Sequence, residues 1–179
     1  LLTPSEEGFT ILGSFTTAEL TENAYGGILN NENYLVSGFR FGKQGTKFSW
    51  WATQSGGSSG MFMHADEDIQ ANTDYQFTLS YNDQAQARFH LNGALQGTAK
   101  TGEIKGGLTN HFYTQYLGGH TGQAGDWGEL IIAHKHLTRG EQTLLEDYLL
   151  GKHQNSGPLG GDLNNNGLPD WQEVDGVGL

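Results

Sequence analysis

The amino-acid sequence predicts an all-β protein: an antiparallel β-sandwich of jelly-roll type, with one C-terminal helix and a short tail. Three observations carry this. Short runs alternate apolar and polar residues, most clearly Tyr75-Gln76-Phe77-Thr78-Leu79-Ser80-Tyr81. Successive side chains on a strand point to opposite faces, so such a run is a half-buried strand. Turn dipeptides separate the runs, at Asn82-Asp83, Asn92-Gly93 and Gly118-Gly119. Helical periodicity occurs once, near the end. Many short strands with frequent turns read as a sandwich or jelly roll.

Taken in order, strands are expected at 9–16, 27–29, 34–41, 46–53, 60–64, 75–82, 87–91, 95–98, 112–117 and 127–136. The helix begins at Thr138-Arg139-Gly140-Glu141, which fits a capping box: the Thr138 hydroxyl serves first-turn N–H groups while Glu141 reaches back. Leu144, Leu145, Tyr148 and Leu149 then recur at helical spacing, and Gly151 is a natural stop. Leu145, Tyr148 and Leu149 are expected to be buried against the sheets.

Composition excludes several classes. Twenty Asp+Glu against nine Lys+Arg give a formal charge of −11. That disfavours nucleic acid, whose recognition depends on clustered basic residues, and an anionic membrane surface. With no cysteine there is neither a disulfide framework nor a thiolate metal site. No apolar run is long enough to span a membrane and no signal-peptide pattern is present. The expectation is a mature or excised piece of a longer secreted chain with neighbouring domains. The 179 residues divide into a sandwich (1–153), a Gly/Pro/Ser linker (154–160) and a metal loop (161–175).

That loop, Asp162-Leu163-Asn164-Asn165-Asn166-Gly167-Leu168-Pro169-Asp170-Trp171-Gln172-Glu173, matches the calcium pattern D-x-[DN]-x-[DN]-G-x5-E. Calcium is a hard cation that takes oxygen ligands. The spacing offers Asp162, Asn164, Asn166, the Leu168 carbonyl, Asp170 (often through a water) and bidentate Glu173. Gly167 falls where the loop turns sharply. The preceding Ser156-Gly157-Pro158-Leu159-Gly160-Gly161 is a poor entering helix, unlike an ordinary EF-hand. From Asp162 to Glu173 the segment resembles the calcium repeats of thrombospondin type 3-like segments, which implies a connector in a secreted bacterial protein with calcium as its cofactor.

A second resemblance covers about residues 9 to 150. It is carried by Tyr75–Tyr81, by Arg88-Phe89-His90-Leu91-Asn92-Gly93, by Gly128-Glu129-Leu130-Ile131-Ile132-Ala133 and by Leu137-Thr138-Arg139-Gly140-Glu141. Together these look like the laminin G-like branch of the concanavalin A-like lectin/glucanase fold. The matching motifs are packing and turn motifs, so the resemblance implies a fold more than a ligand.

The same fold hosts glycanases and lyases. A retaining glycanase needs two carboxylates about 5–5.5 Å apart, supplied by acidic residues on one strand face. The sequence has no E-x-D-x-x-E strand, and Asp66-Glu67-Asp68 reads as a solvated loop. Neither a G-x-S-x-G elbow nor H-E-x-x-H is present. His134 and His136 share strand parity, but two surface histidines are the simpler reading. A binding face is the better expectation. Alternation along Lys47–Thr53 turns Trp51 away from the core; the same rule turns out Arg40, Arg88 and His90. If these four converge, a stacking ring meets cationic donors, as an acidic or sulfated polysaccharide requires. The expected function is a non-catalytic carbohydrate- or matrix-binding accessory module. The alternatives are an adhesive domain with protein partners and a polysaccharide-active enzyme.

Overall fold

A computed structural model describes residues 8–18, 25–30, 38–52, 61–102 and 125–154. The strands are β1 (Phe9–Thr17), β2 (Tyr25–Asn30), β3 (Phe39–Gln44), β4 (Lys47–Ala52), β5 (Met61–His64), β6 (Asp74–Tyr81), β7 (Gln86–Leu91), β8 (Ala94–Leu95), β9 (Lys100–Thr101) and β10 (Gly125–Ala133). One helix, α1 (Arg139–Gln154), follows. Among the described residues the strands form two antiparallel sheets. A six-stranded sheet runs β10-β1-β6-β7-β8, with β9 also on β7, and a four-stranded sheet runs β2-β3-β4-β5. The predicted all-β antiparallel sandwich is the observed architecture.

Alternation explains the core. Phe9, Ile11 and Phe15 of β1, Phe77 and Leu79 of β6, and Phe89 of β7 face inward from the six-stranded sheet. Phe39, Phe41, Phe48, Trp50 and Met63 meet them from the other. The rings interlock: Phe41 lies 4.5 Å from Phe77 and 5.4 Å from Phe89, centroid to centroid. Such pairs add to the burial of large apolar areas. Gly13 is required here, because a Cβ at that position would sit 2.7 Å from the Phe77 ring.

Local turn chemistry behaves as the sequence implies. Asn92 (φ 49°) and Gly93 (φ 77°) both adopt the left-handed conformation of a two-residue hairpin turn between β7 and β8. The Asn82 side-chain oxygen accepts from the Gln84 and Gln86 N–H groups.

Some boundaries differ from expectation. β3 continues to Gln44 rather than stopping at Phe41, because Lys43 pairs with Phe48 and the turn is made by Gly45 (φ 62°). β10 ends at Ala133, not at residue 136; the Leu137 N–H instead donates to Thr10 Oγ1 at 2.9 Å and turns the chain toward the helix. The two-residue β9 was not anticipated. The strand expected at 112–117 lies outside the described residues.

The capping box forms. Thr138 N–H donates to Glu141 Oε2 at 2.7 Å, and Glu141 N–H donates to Thr138 Oγ1 at 3.3 Å. The helix packs on β1 and β6, with Leu149 buried against Leu12 and Leu137, and Leu145 beside them. Tyr148 corrects the expectation: it is 48% exposed, with its hydroxyl near Glu129 and Lys152. The docked face is instead half polar, since Gln142 and Glu146 are buried.

Candidate functional site

The four residues expected to form one binding face do not meet. Arg40 and Trp51 are register partners on β3 and β4, facing away from the core of the four-stranded sheet. The Arg40 guanidinium stands 5.2 Å from the centre of the Trp51 ring, a cation–π contact. Trp51 is on the predicted face, yet only 5% exposed. Arg88 and His90 lie on β7, on the outer side of the other sheet. The sandwich core therefore separates the two pairs, and the composite basic-aromatic patch does not exist.

The Arg88–His90 side belongs to the helix. Gln76 and Thr78 point outward from β6 beneath α1. Thr78 Oγ1 donates to Glu146 Oε1 at 2.7 Å, and the Gln76 amide donates to the Glu146 carbonyl. Arg139 donates to Glu146 Oε1 at 2.8 Å and to the Gly93 carbonyl at 2.9 Å. His90 is buried, and burial, together with the Arg139 and Arg88 charges, lowers its pKa against the opposing pull of Glu146. Arg88 itself is exposed. The Glu146 and Arg139 contacts tie the helix to the sheet and to the hairpin.

A cleft of about 540 Å³ opens elsewhere, where the β5–β6 connection meets the β7–β8 hairpin. That is the size of a small-ligand site. One wall is Asp66, Glu67, Asp68 and Gln70; the other is Asn92, Leu95 and Gln96, with Phe48 and Tyr75 between. The walls are fixed by hydrogen bonds. Asp66 N–H donates to Gln96 Oε1 at 2.9 Å, and the Gln96 amide donates to the Ala94 carbonyl at 3.0 Å. Thr46 Oγ1 donates to Asp68 Oδ1 at 2.7 Å, and Gln70 N–H donates to the Tyr75 hydroxyl oxygen at 2.8 Å. The Gln76 N–H donates to Asn92 Oδ1 at 2.9 Å.

Other groups around the cleft stay open. Asp66, Glu67 and Asp68 are exposed, and among the described residues the carboxylates of Asp66 and Glu67 accept no hydrogen bond. The Tyr75 O–H and the Asn92 amide N–H groups remain able to donate. Leu95 is 49% exposed and Tyr75 is half-buried, its ring edge-on to Phe48 at 4.8 Å. The arrangement combines hydroxyl- and carbonyl-seeking groups with apolar surface, as sugar recognition does.

Sequence reasoning missed this site. It took Asp66-Glu67-Asp68 as solvated loop and Asn92 as turn; each is true locally, but the cleft arises only when segments some 25 residues apart meet. The acidic run placed just before the buried Ile69 was the one available signal.

No three His, Asp or Glu side chains among the described residues gather closely enough to hold a metal ion. His134 is exposed and His136 half-buried beyond the end of β10. The calcium-loop residues Asp162, Asn164, Asn166, Leu168, Asp170 and Glu173 lie outside the described residues. No helix among the described residues is long and apolar enough to cross a membrane.

No family model and no curated protein matches this sequence. Solved structures do. The binding domain of botulinum neurotoxin DC, in complex with rat synaptotagmin II, is 19% identical, with a TM-score of 0.60 over 80% of this chain and 36% of that one. A structure of botulinum neurotoxin type C, whose cell entry depends on interaction with two ganglioside molecules, is 18% identical; its TM-score is 0.55 over 80% of this chain and 36% of that one. The Ruminococcus gnavus IT-sialidase CBM40 bound to alpha2,3 sialyllactose is 14% identical, with a TM-score of 0.52 over 78% of this chain and 83% of that one. At these identities the likeness shows the fold: a β-sandwich of a type found in carbohydrate-binding domains. The chain spans less than two fifths of the length of the toxin structures.

Proposed function

We propose that this chain is a non-catalytic carbohydrate-binding accessory module of a secreted bacterial protein: a laminin G-like sandwich followed by a calcium-binding connector. The observation that carries the reading is the cleft between the β5–β6 connection and the β7–β8 hairpin. Its pre-formed walls, open donors and acceptors and exposed Leu95 suit a pyranose chain. The glycan-binding neighbours of the same fold support it, as does the lack of a catalytic motif in the sequence. A glycan array, read with and without calcium, tests the proposal. Asn92→Asp is the informative variant, because it keeps the oxygen that accepts from Gln76 but removes the amide donors. For neutral glycans, to which the new carboxylate brings no ion pair, binding should fall about two- to tenfold, the worth of one hydrogen bond. Retention of no glycan under either condition would overturn the reading.

The connector rests on its donor set. Three carboxylates, two Asn amides and a carbonyl suit calcium, with affinity on the order of 10⁻⁴ to 10⁻³ M. Calorimetry should show calcium uptake that Glu173→Ala weakens; equal uptake by parent and variant would remove the assignment.

An adhesive role with a protein partner has one observation in its favour: Leu144 (71% exposed), Tyr148 (48%) and Leu150 (46%) present apolar surface on α1. Self-association that Leu144→Asp abolishes, without glycan binding, would select it instead.

A further inference from the structure

We propose that the cleft selects glycans built from sugars with free amino groups, polymers of 2-amino-2-deoxy sugars, over their N-acetylated, sialylated or sulfated counterparts. The inference rests on the carbohydrate-binding reading and names the sugar class that reading leaves open.

Charge gives the first reason. Among the described residues lining the cleft, Asp66, Glu67 and Asp68 are acidic and none is Lys, Arg or His. Lys47, which is not among the lining residues, donates its ammonium to the Asp66 carbonyl on the flank. The whole chain carries −11, so the distant field opposes an anionic ligand as well. A sialylated or sulfated chain would bring like charge to exposed carboxylates with no arginine to receive it.

Hydrogen-bond polarity gives the second reason, independent of the net charge. The Gln96 amide is engaged at both ends, by Asp66 N–H and by the Ala94 carbonyl, which makes it a group that shapes the wall. The groups left open are mostly acceptors: the Asp66 and Glu67 carboxylates, the second oxygen of Asp68 and the Gln70 side-chain carbonyl. Open donors are fewer: the Tyr75 O–H, the Asn92 amide N–H groups and the second N–H of the Gln70 amide, whose first donates to the Asp68 carbonyl. An ammonium brings three donors and no acceptor. Acetylation replaces it with one N–H and a carbonyl, which adds an acceptor where acceptors are already in excess.

The carboxylates do not converge as a metal cage, since no group of three among the described residues is placed to hold an ion. They come from three successive residues of one wall, where a polymer that repeats its amine from sugar to sugar can present more than one ammonium. Leu95 and the Tyr75 ring offer apolar surface to the C–H faces of the same sugars.

Titration calorimetry on the full chain tests this with four probes: a glucosamine hexamer, its N-acetylated form, alpha2,3 sialyllactose and a lysine hexamer. Each exposed ion pair contributes about 1.5- to 5-fold, so two or three favour the free amine by about tenfold over the acetylated form. That advantage should shrink at about 0.5 M salt, because exposed pairs are screened. The double variant Asp66→Asn with Glu67→Gln should erase the preference without moving the melting midpoint, as neither side chain bonds to the fold. Equal or tighter binding of the acetylated form, or a preference that survives in the double variant, overturns the inference while leaving a sugar site in place. Equal binding of the lysine hexamer shows selection for charge alone and overturns it too. If no glycan binds here or on the array, the carbohydrate reading falls with it.

Discussion

Two polar regions flank the same hairpin and use charge in opposite ways. Beneath α1, Glu146 is 4% exposed and every contact it makes is internal: Arg139, Thr78 and, through its carbonyl, Gln76. Across the Asn92-Gly93 turn, Asp66 and Glu67 are exposed, and among the described residues their carboxylates accept no hydrogen bond. Arg139 even reaches the Gly93 carbonyl, so the hairpin belongs to both regions. A buried charge must be paired, and pairing makes it a positioning device for the helix. An open charge on a fixed wall keeps its capacity for a ligand. The difference is the ground on which we propose structure on one side of the hairpin and recognition on the other.

The largest test of that division is Leu149→Ala. Leu149 is 1% exposed between Leu12 and Leu137, and its truncation should cost about 2–5 kcal/mol in chemical denaturation. An unchanged midpoint would mean that α1 is not docked. Glu146→Gln comes next. It keeps hydrogen-bonding capacity but loses the charge opposite Arg139, whose own side chain is 45% exposed. The half-open partner limits the cost to about 1–2 kcal/mol, well below that of breaking a fully buried pair. Loss of glycan binding without loss of stability in this variant would erase the division between the two regions. Thr138→Ala should cost about 1 kcal/mol by removing the cap, again without touching binding.

The smallest effect is a pH dependence. Burial first, then Arg139 and Arg88, hold the His90 pKa below its ordinary 6.5, while Glu146 opposes them. Below about 6.5 the unfolded chain takes up a proton that the folded chain refuses, so stability rises with pH there. The contribution is therefore complete above about pH 6.5 and is lost as pH falls toward the lower folded-state value. His90→Gln should flatten this acid limb in thermal melts recorded from pH 7.5 to 5. An unchanged limb would show that burial and its charged neighbours do not lower the His90 pKa in the folded chain.

What the sequence disclosed was local. Period-two alternation placed the strands because each strand's two faces see core and exterior. The capping box was legible because Thr138 and Glu141 satisfy backbone groups within one turn. Alternation also put Trp51 and His90 on the sides of their strands that face away from the core. It could not say which sheet each strand joins, and that is why Arg40 and Trp51 were wrongly grouped with Arg88 and His90. Tyr148 was misread because an apolar stripe was assumed, whereas the helix lands on the polar outer residues Gln76 and Thr78 and so buries Glu146 instead. The cleft needs two distant loops brought together by tertiary contacts, and no local period records that.

The most direct measurement is backbone amide chemical-shift mapping of the chain titrated with a glucosamine oligosaccharide. The predicted result is a set of shifts concentrated at residues 66–70, 75 and 91–96, with little change in α1 or around Arg40 and Trp51. Shifts concentrated instead on Arg40 and Trp51, or on Arg88 and His90, with the cleft unchanged, would contradict the assignment of recognition to the open carboxylates.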